Sequence, residues 1–320
     1  MVKKIKFAIP KPILVVWAHI KALRPHQWSK NLFVFAGIVF VGKANQNELF
    51  ANVAMVFIAF CAVSSAGYLI NDLIDMDKDR NHQKKKHRPI ASGKVAPITA
   101  ATLAVVLLAS AIAFSTVVSS KVGGIVILYA LVTFSYSLFF KNIVLLDVFV
   151  LSLGFVIRVF AGTLTIGEPS SPWIVVCTLL LSLFLAINKR RSELLANPET
   201  AGSQRKNLKE YTTEMLSEMS TVVTAALILA YWLYTFFVGT DLAKTIAPGT
   251  PQRPYMMLTL PVVIYALFRY LFLVHKKKGG ESPDEIIFSD IPFIISVALW
   301  VVLIVLIIYR PLWLTWIDVK

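Results

Sequence analysis

The chain is 320 residues long; 57% of them are apolar, 16% are charged, and mean hydropathy is +0.70. A water-soluble domain carries about 25% charged residues, so most of this surface faces lipid. With 14 Gly, 15 Pro and 2 Cys, the composition excludes a collagen-like repeat, a disordered tract and a disulfide scaffold.

A bilayer-spanning helix takes about 20 mostly apolar residues. The segment 12–22 is too short for that and reads as an amphipathic helix lying at the interface. Nine longer runs follow, at 28–42, 50–70, 97–119, 122–140, 143–165, 172–188, 219–239, 254–274 and 290–310. The first is the weakest, because Trp28, Ser29, Lys30 and Asn31 crowd its start. The expected fold is therefore an all-α polytopic membrane protein: an N-terminal segment 1–27, nine transmembrane helices over 28–310, and a tail 311–320. Polar loops fall at 71–96 and 189–218. Cys61 and Cys177 lie within apolar runs and read as small buried side chains.

The 32 Lys and Arg against 18 Asp and Glu leave a net charge of +14. Sorted by loop, that excess alternates. Lys3, Lys4, Lys6, Lys11, Lys21 and Arg24 precede the first run; Lys78, Arg80, Lys84, Lys85, Lys86, Arg88 and Lys94 follow the second. Lys189, Arg190, Arg191, Arg205, Lys206 and Lys209 follow the sixth, and Lys276, Lys277 and Lys278 the eighth. The other loops hold only Lys43, Lys121, Lys244 and Arg253. The positive-inside rule then puts the N-terminus in the cytoplasm and the C-terminus outside. No nucleic-acid partner is needed to explain the charge.

Orientation does not require carboxylates. After the second run the chain reads NDLIDMDKDRNHQKKKHRPIASG over 71–93. Asn71, Asp72, Asp75 and Asp79 recur at three-, four- and seven-residue intervals, so on a helix they share one face, with Asp77 off it. Stacked like charges at a membrane boundary are costly unless a cation binds between them. A hard divalent ion such as Mg²⁺, bridging carboxylates to substrate phosphates, suits an all-oxygen set; a solvated acidic helix end is the alternative. His82, Lys85 and Arg88 follow, and Pro89 with Gly93 turns the chain back, so acids for a metal precede bases for a diphosphate.

Further polar residues interrupt the later runs. Lys141 lies between the fourth and fifth, and Arg158 lies inside the fifth, where an unpaired arginine faces a cavity or a partner. Asp147, eleven residues earlier and nearly in phase, is a candidate partner, with substrate contact as the other reading. The sixth run ends in NKRRSEL: Lys189 and Glu193 are spaced as an i,i+4 pair with Arg190 beside them, either a binding cluster or a positive-inside stop.

These motifs resemble the UbiA superfamily of intramembrane prenyltransferases. NDLIDMDKD at 71–79 is similar to its first aspartate-rich motif, NDxxDxxxD, and RPHQWSKN at 24–31, YSLFFKNIVLLDVFVLSLGFVIRVFAG at 136–162, NKRRSEL at 188–194 and FRYLFLVHKKKGGESPDEIIFSD at 268–290 extend the resemblance along most of the chain. It implies a UbiA-like bundle of nine helices with a cytosol-facing polar cavity, and Mg²⁺ held by Asp72, Asp75 and Asp79.

One departure chooses among substrates. Members that use an isoprenyl diphosphate carry a second acidic motif at the end of the sixth helix, where this chain has Asn188, Lys189, Arg190 and Glu193. Cations there suit an additional phosphate. The resemblance thus implies transfer of 5-phosphoribose from phosphoribosyl diphosphate to a decaprenyl-type polyprenyl phosphate, releasing diphosphate, towards cell-wall glycolipid precursors. Asn71, Lys85, Arg88 and Tyr136 would contact the donor; Lys189, Arg190 and Glu193 its 5-phosphate and ribose; and Lys141, Arg158 and Lys30 the lipid phosphate. The enzyme would sit in the plasma membrane with its active site facing the cytoplasm, and a homo-oligomer is compatible with this. The alternatives are prenyl transfer to an aromatic acceptor, a cation transporter and a non-enzymatic assembly factor.

Overall fold

The computed structural model describes residues 11–81, 85–196, 206–239, 253, 255–276 and 290–311. His82, Lys84, Arg205, Lys244, Lys277, Lys278, the lysines before residue 10, most of the 277–290 segment and the tail after 311 lie outside the described residues.

All regular structure among the described residues is helical. In chain order it comprises α1 (Lys11–Leu23), a 3-10 helix (Pro25–Phe35), α2 (Ala36–Val41), α3 (Asn47–Ile74), α4 (Met76–Arg80), α5 (Pro97–Val118), α6 (Ser120–Leu138), α7 (Leu146–Thr165), α8 (Pro172–Ala196), α9 (Thr213–Gly239), α10 (Leu260–Lys276) and α11 (Ile291–Ile308). Short 3-10 turns lie at Lys85–His87, Phe140–Asn142, Lys206–Lys209 and Met256–Thr259.

Eight of these helices are long and apolar enough to cross a membrane. The expected first crossing is built differently: Pro25–Phe35 is wound as 3-10 helix and only Ala36–Val41 as α-helix. The tighter winding rises faster per residue, so the two pieces together reach roughly 30 Å, the thickness of the hydrocarbon core. Counted with the eight, this crossing gives nine apolar elements among the described residues, the first of them irregular. This member packs on α3 and α7. It comes so close that a Cβ on Gly162 would lie 1.9 Å from the Val34 carbonyl oxygen, and one on Gly37 2.9 Å from the Thr163 nitrogen. Only glycine allows the two backbones to meet there.

α3 and α7 form the buried centre. Val53, Val56, Phe60 and Val63 of α3 pack with Ile157 and Ala161 of α7 and with Val34 and Ile38. α5 and α11 are peripheral, and Val105, Val106, Val117, Ile295 and Val302 stand exposed as only a lipid-facing surface tolerates. The long helices alternate in direction. The C-terminal ends of α3, α6 and α8 and the N-terminal ends of α5, α7 and α9 thus meet at one end of the bundle, where the polar residues collect. On α1, Ala18 and Ala22 pack towards α3, while Val15, Val16 and Trp17 point outward.

Candidate active site at the polar end of the bundle

α3 stops at Ile74, and Asp75 joins it to the short α4, so the helix axis breaks inside the acidic motif. Asp72 and Asp79 nevertheless converge on one arginine, while Asp75 turns to Lys141. Asp72 is 2% exposed and Asp79 3%. Arg24 Nη2 donates to Asp72 Oδ1 at 2.5 Å; Arg88 Nη1 donates to Asp72 Oδ1 at 3.1 Å and to Asp79 Oδ2 at 2.6 Å; Lys141 Nζ donates to Asp75 Oδ2 at 3.4 Å. Asp77 points away, paired with exposed Arg80 at 3.0 Å. Asn71 lies in the last turn of α3, and its carbonyl accepts the Asp75 amide. Lys85 opens the turn that presents Arg88, with the Arg88 amide bonded to the Lys85 carbonyl at 2.9 Å.

Arg24 was not singled out by the sequence, where it counted only as one more basic residue near the first crossing. Its backbone is left-handed, with φ 53° and ψ 59°, a conformation that costs a non-glycine residue about 1 kcal/mol or more. It lies 4.9 Å over the Tyr68 ring and reaches the acids from the head of the 3-10 helix.

A second cluster sits beside the first. Arg190 on α8 is 1% exposed, and its Nε lies 2.7 Å from Asp147 Oδ2 at the start of α7. Its Nη1 pairs with Glu193, and its Nη2 donates to the Tyr136 hydroxyl at 3.3 Å. Tyr211 completes the group: its hydroxyl donates to Asp147 Oδ1 at 2.8 Å and accepts the Leu145 amide at 2.7 Å. That second bond steadies Leu145, whose φ is +66°. Burial pushes the Tyr211 phenol above its ordinary pKa, so it stays a neutral donor at physiological pH. Tyr136 and Lys141, at the end of α6 and just beyond it, touch one cluster each and link the two.

The Asp147–Arg158 pairing is not formed. Eleven residues bring two side chains into phase but separate them by about 16 Å along the axis, beyond reach. Asp147 takes Arg190 instead. Arg158, 6% exposed, donates from Nε to Asn31 Oδ1 at 2.7 Å, from Nη1 to the Gly154 carbonyl at 2.8 Å and from Nη2 to the Tyr129 hydroxyl at 2.6 Å. All three partners are neutral, and the guanidinium also lies 4.6 Å from the Tyr129 ring centroid. Ser64 of α3 bonds the same Asn31 and Tyr129, which places Arg158 about 12 Å below Asp72 along the bundle. The structure does not bring it to the acids. Lys30 bonds Gln27 Oε1 at 2.5 Å within its own 3-10 helix. Lys189 lies on α8 beside Arg190.

Among the described residues no three His, Cys, Asp or Glu side chains stand as a ready metal cage. The donor set still fits a hard divalent cation: it is all oxygen, and Mg²⁺ needs only one or two protein carboxylates when phosphate oxygens and water complete its octahedron.

Comparison with known proteins agrees with this arrangement. A family model described as the UbiA prenyltransferase family matches residues 31–291. The decaprenyl-phosphate phosphoribosyltransferase of Corynebacterium glutamicum is 33% identical over 295 residues, covering 91% of this chain and 86% of its own. That of Mycolicibacterium smegmatis is 33% identical over 277 residues, covering 85% and 86%. A solved structure of a UbiA homolog from Archaeoglobus fulgidus bound to GPP and Mg²⁺ superposes with a TM-score of 0.69 at 20% identity, covering 91% of this chain and 99% of that one.

Proposed function

The chain belongs to the UbiA prenyltransferase family and is an integral membrane protein, and from that premise we propose that it transfers 5-phosphoribose from phosphoribosyl diphosphate to a polyprenyl phosphate of decaprenyl type. The observation that carries this reading is the pairing at the end of α8. Arg190 takes up both Asp147 and Glu193, so the acids available there are spent on a cation rather than held for a second metal. The relatives from Corynebacterium and Mycolicibacterium, matched along most of the chain, support it.

In this reading Asp72, Asp75 and Asp79, with Asn71 beside them, are the residues that would hold Mg²⁺. When bound, the metal neutralises charge on the departing diphosphate. Arg88, Lys85 and Arg24 donate to the diphosphate oxygens, and Tyr136 and Lys189 border the ribose and its 5-phosphate. The C1–O bond to diphosphate breaks as the bond from C1 to a lipid phosphate oxygen forms. The acceptor is already an anion at neutral pH, so no general base is required, and positioning with electrostatic stabilisation sets the rate. Lys141 is assigned to the lipid phosphate. Arg190 and Glu193 act by fixing the end of α8, and Arg158 by fixing the first crossing. In this reading the polar end faces the cytoplasm, which the lysine and arginine distribution supports.

Purified protein incubated with Mg²⁺, labelled phosphoribosyl diphosphate and decaprenyl phosphate should yield a labelled lipid. Absence of that product, with product formed instead from a prenyl diphosphate and an aromatic acceptor, overturns the assignment. Asp75→Ala should lower turnover at least 100-fold while leaving the helical circular dichroism intact.

A further inference from the structure

The acids of the α3–α4 junction are occupied by the protein itself. Asp72 and Asp79 are buried, Arg24 and Arg88 hold them at 2.5–3.1 Å, and Lys141 holds Asp75 at 3.4 Å. Among the described residues each of the three carboxylates is thus paired with a cation of the protein. We propose that Arg24 and Arg88 are exchangeable counter-ions of this cluster, and that their exchange makes divalent-metal binding and diphosphate binding mutually dependent. The proposal rests on the diphosphate reading above.

The reasoning is electrostatic. A divalent cation arriving alone must take the buried Asp72 and Asp79 from their guanidinium partners and leave two partly exposed positive side chains without anions. Arginine cannot escape by losing a proton, because its pKa stays above about 12. Breaking a buried ion pair by removing one partner is strongly unfavourable for this reason. A diphosphate arriving alone meets the converse difficulty: it can draw Arg24 and Arg88 to itself only by stripping the carboxylates of their partners, and it adds about three negative charges beside them. Together the two ligands exchange partners with the protein. The metal satisfies the carboxylates, the diphosphate satisfies the arginines, and the charges cancel to within about one unit.

The geometry suits such an exchange. Arg88 meets Asp72 and Asp79 through a single nitrogen, Nη1, rather than the two-nitrogen fork that makes arginine–carboxylate pairs hard to break. Arg24 is 23% exposed in its side chain and rests over the Tyr68 ring, a surface on which a displaced guanidinium keeps a favourable contact. Its left-handed backbone fixes the root of the side chain while leaving the head to move.

The test uses full-length protein in detergent with Mn²⁺ and inorganic pyrophosphate as probes. Electron paramagnetic resonance reads Mn²⁺ binding, and equilibrium dialysis of labelled pyrophosphate reads the anion. Wild-type protein should bind each probe alone at least tenfold more weakly than in the presence of the other. Arg88→Gln should tighten Mn²⁺ binding in the absence of pyrophosphate about tenfold and weaken pyrophosphate binding in the presence of Mn²⁺ by a similar factor. Arg24→Gln should act in the same two directions. Arg80→Gln, which removes an exposed cation paired only with Asp77, should change neither. The proposal is overturned if wild-type protein binds Mn²⁺ equally well with and without pyrophosphate. It is overturned equally if both Gln variants leave Mn²⁺ affinity unchanged, or if Arg80→Gln matches them. Failure of both probes to bind in any combination defeats the diphosphate reading itself, and the coupling with it.

Discussion

Arg158 and Arg190 are both arginines buried in the bundle, yet their surroundings predict different responses to substitution. Arg158 is held by neutral groups alone, three hydrogen bonds and aromatic faces. Interhelical hydrogen bonds within membranes contribute about 0.6 kcal/mol each, and two of the three cross to other elements, so Arg158→Met should lower stability by about 1 kcal/mol in a denaturant titration. Arg190 and Asp147 neutralise each other out of contact with water. Removing Arg190 leaves Asp147 a buried charge without a cation, so Arg190→Gln should cost about 3 kcal/mol or more, whereas Asp147→Asn leaves the arginine with Glu193 and should cost less. The double variant Asp147→Asn with Arg190→Gln should recover part of the larger loss, which a double-mutant cycle measures directly. The acids of the 71–79 motif were legible from the sequence because helical periodicity alone puts them on one face. The partner of Asp147 was not, because periodicity reports phase and says nothing of separation along the axis or of which neighbouring helix end arrives. Arg24 was hidden for a related reason: at a membrane boundary basic residues are expected anyway, and only the fold shows which one turns inward.

At the scale of elements, the first crossing was legible as an apolar run and illegible in its winding. Pro25 starts it, Asn31 is drawn to Arg158, and the close approach to Gly162 sets its path. Gly162→Ala should be far more damaging than an alanine in an ordinary helix, because the added carbon would overlap the Val34 carbonyl. The crossing must shift, and Arg24 at its head shifts with it. The expected result is a rise in the KM for phosphoribosyl diphosphate alongside a lower unfolding temperature, whereas Gly124→Ala, which meets no neighbouring atom, should alter neither.

At the scale of the whole molecule, composition and charge distribution were sufficient to predict a polytopic helical bundle, because lipid admits few other solutions. The site could be only half read. One cluster has its acids and Arg88 within residues 72–88, with Arg24 and Lys141 arriving from elsewhere; the other draws Tyr136, Asp147, Arg190 and Tyr211 from four separate stretches. A site spread in this way ties ligand binding to global stability. Mg²⁺ and pyrophosphate binding as one unit, at near 100 times its dissociation constant, should stabilise the fold by about 2.7 kcal/mol. Chelation of the metal should remove most of that gain in a thermal-unfolding assay, even with pyrophosphate still present.

The contact between Arg158 and Asn31 also has a meaning in time. The two residues are 127 positions apart, and chains are made at about 5–20 residues per second. Asn31 and its weakly apolar segment therefore leave the ribosome roughly 6–25 seconds before the arginine that holds them. Until α7 arrives, the head of the protein has only its contacts with α3 to hold it. Its final insertion is a late event, completed from behind by a helix still being synthesised when the first residues emerge. Nascent chains stalled before residue 146 should leave the 25–35 segment open to aqueous thiol labelling at an introduced cysteine, and chains stalled well beyond residue 165 should protect it.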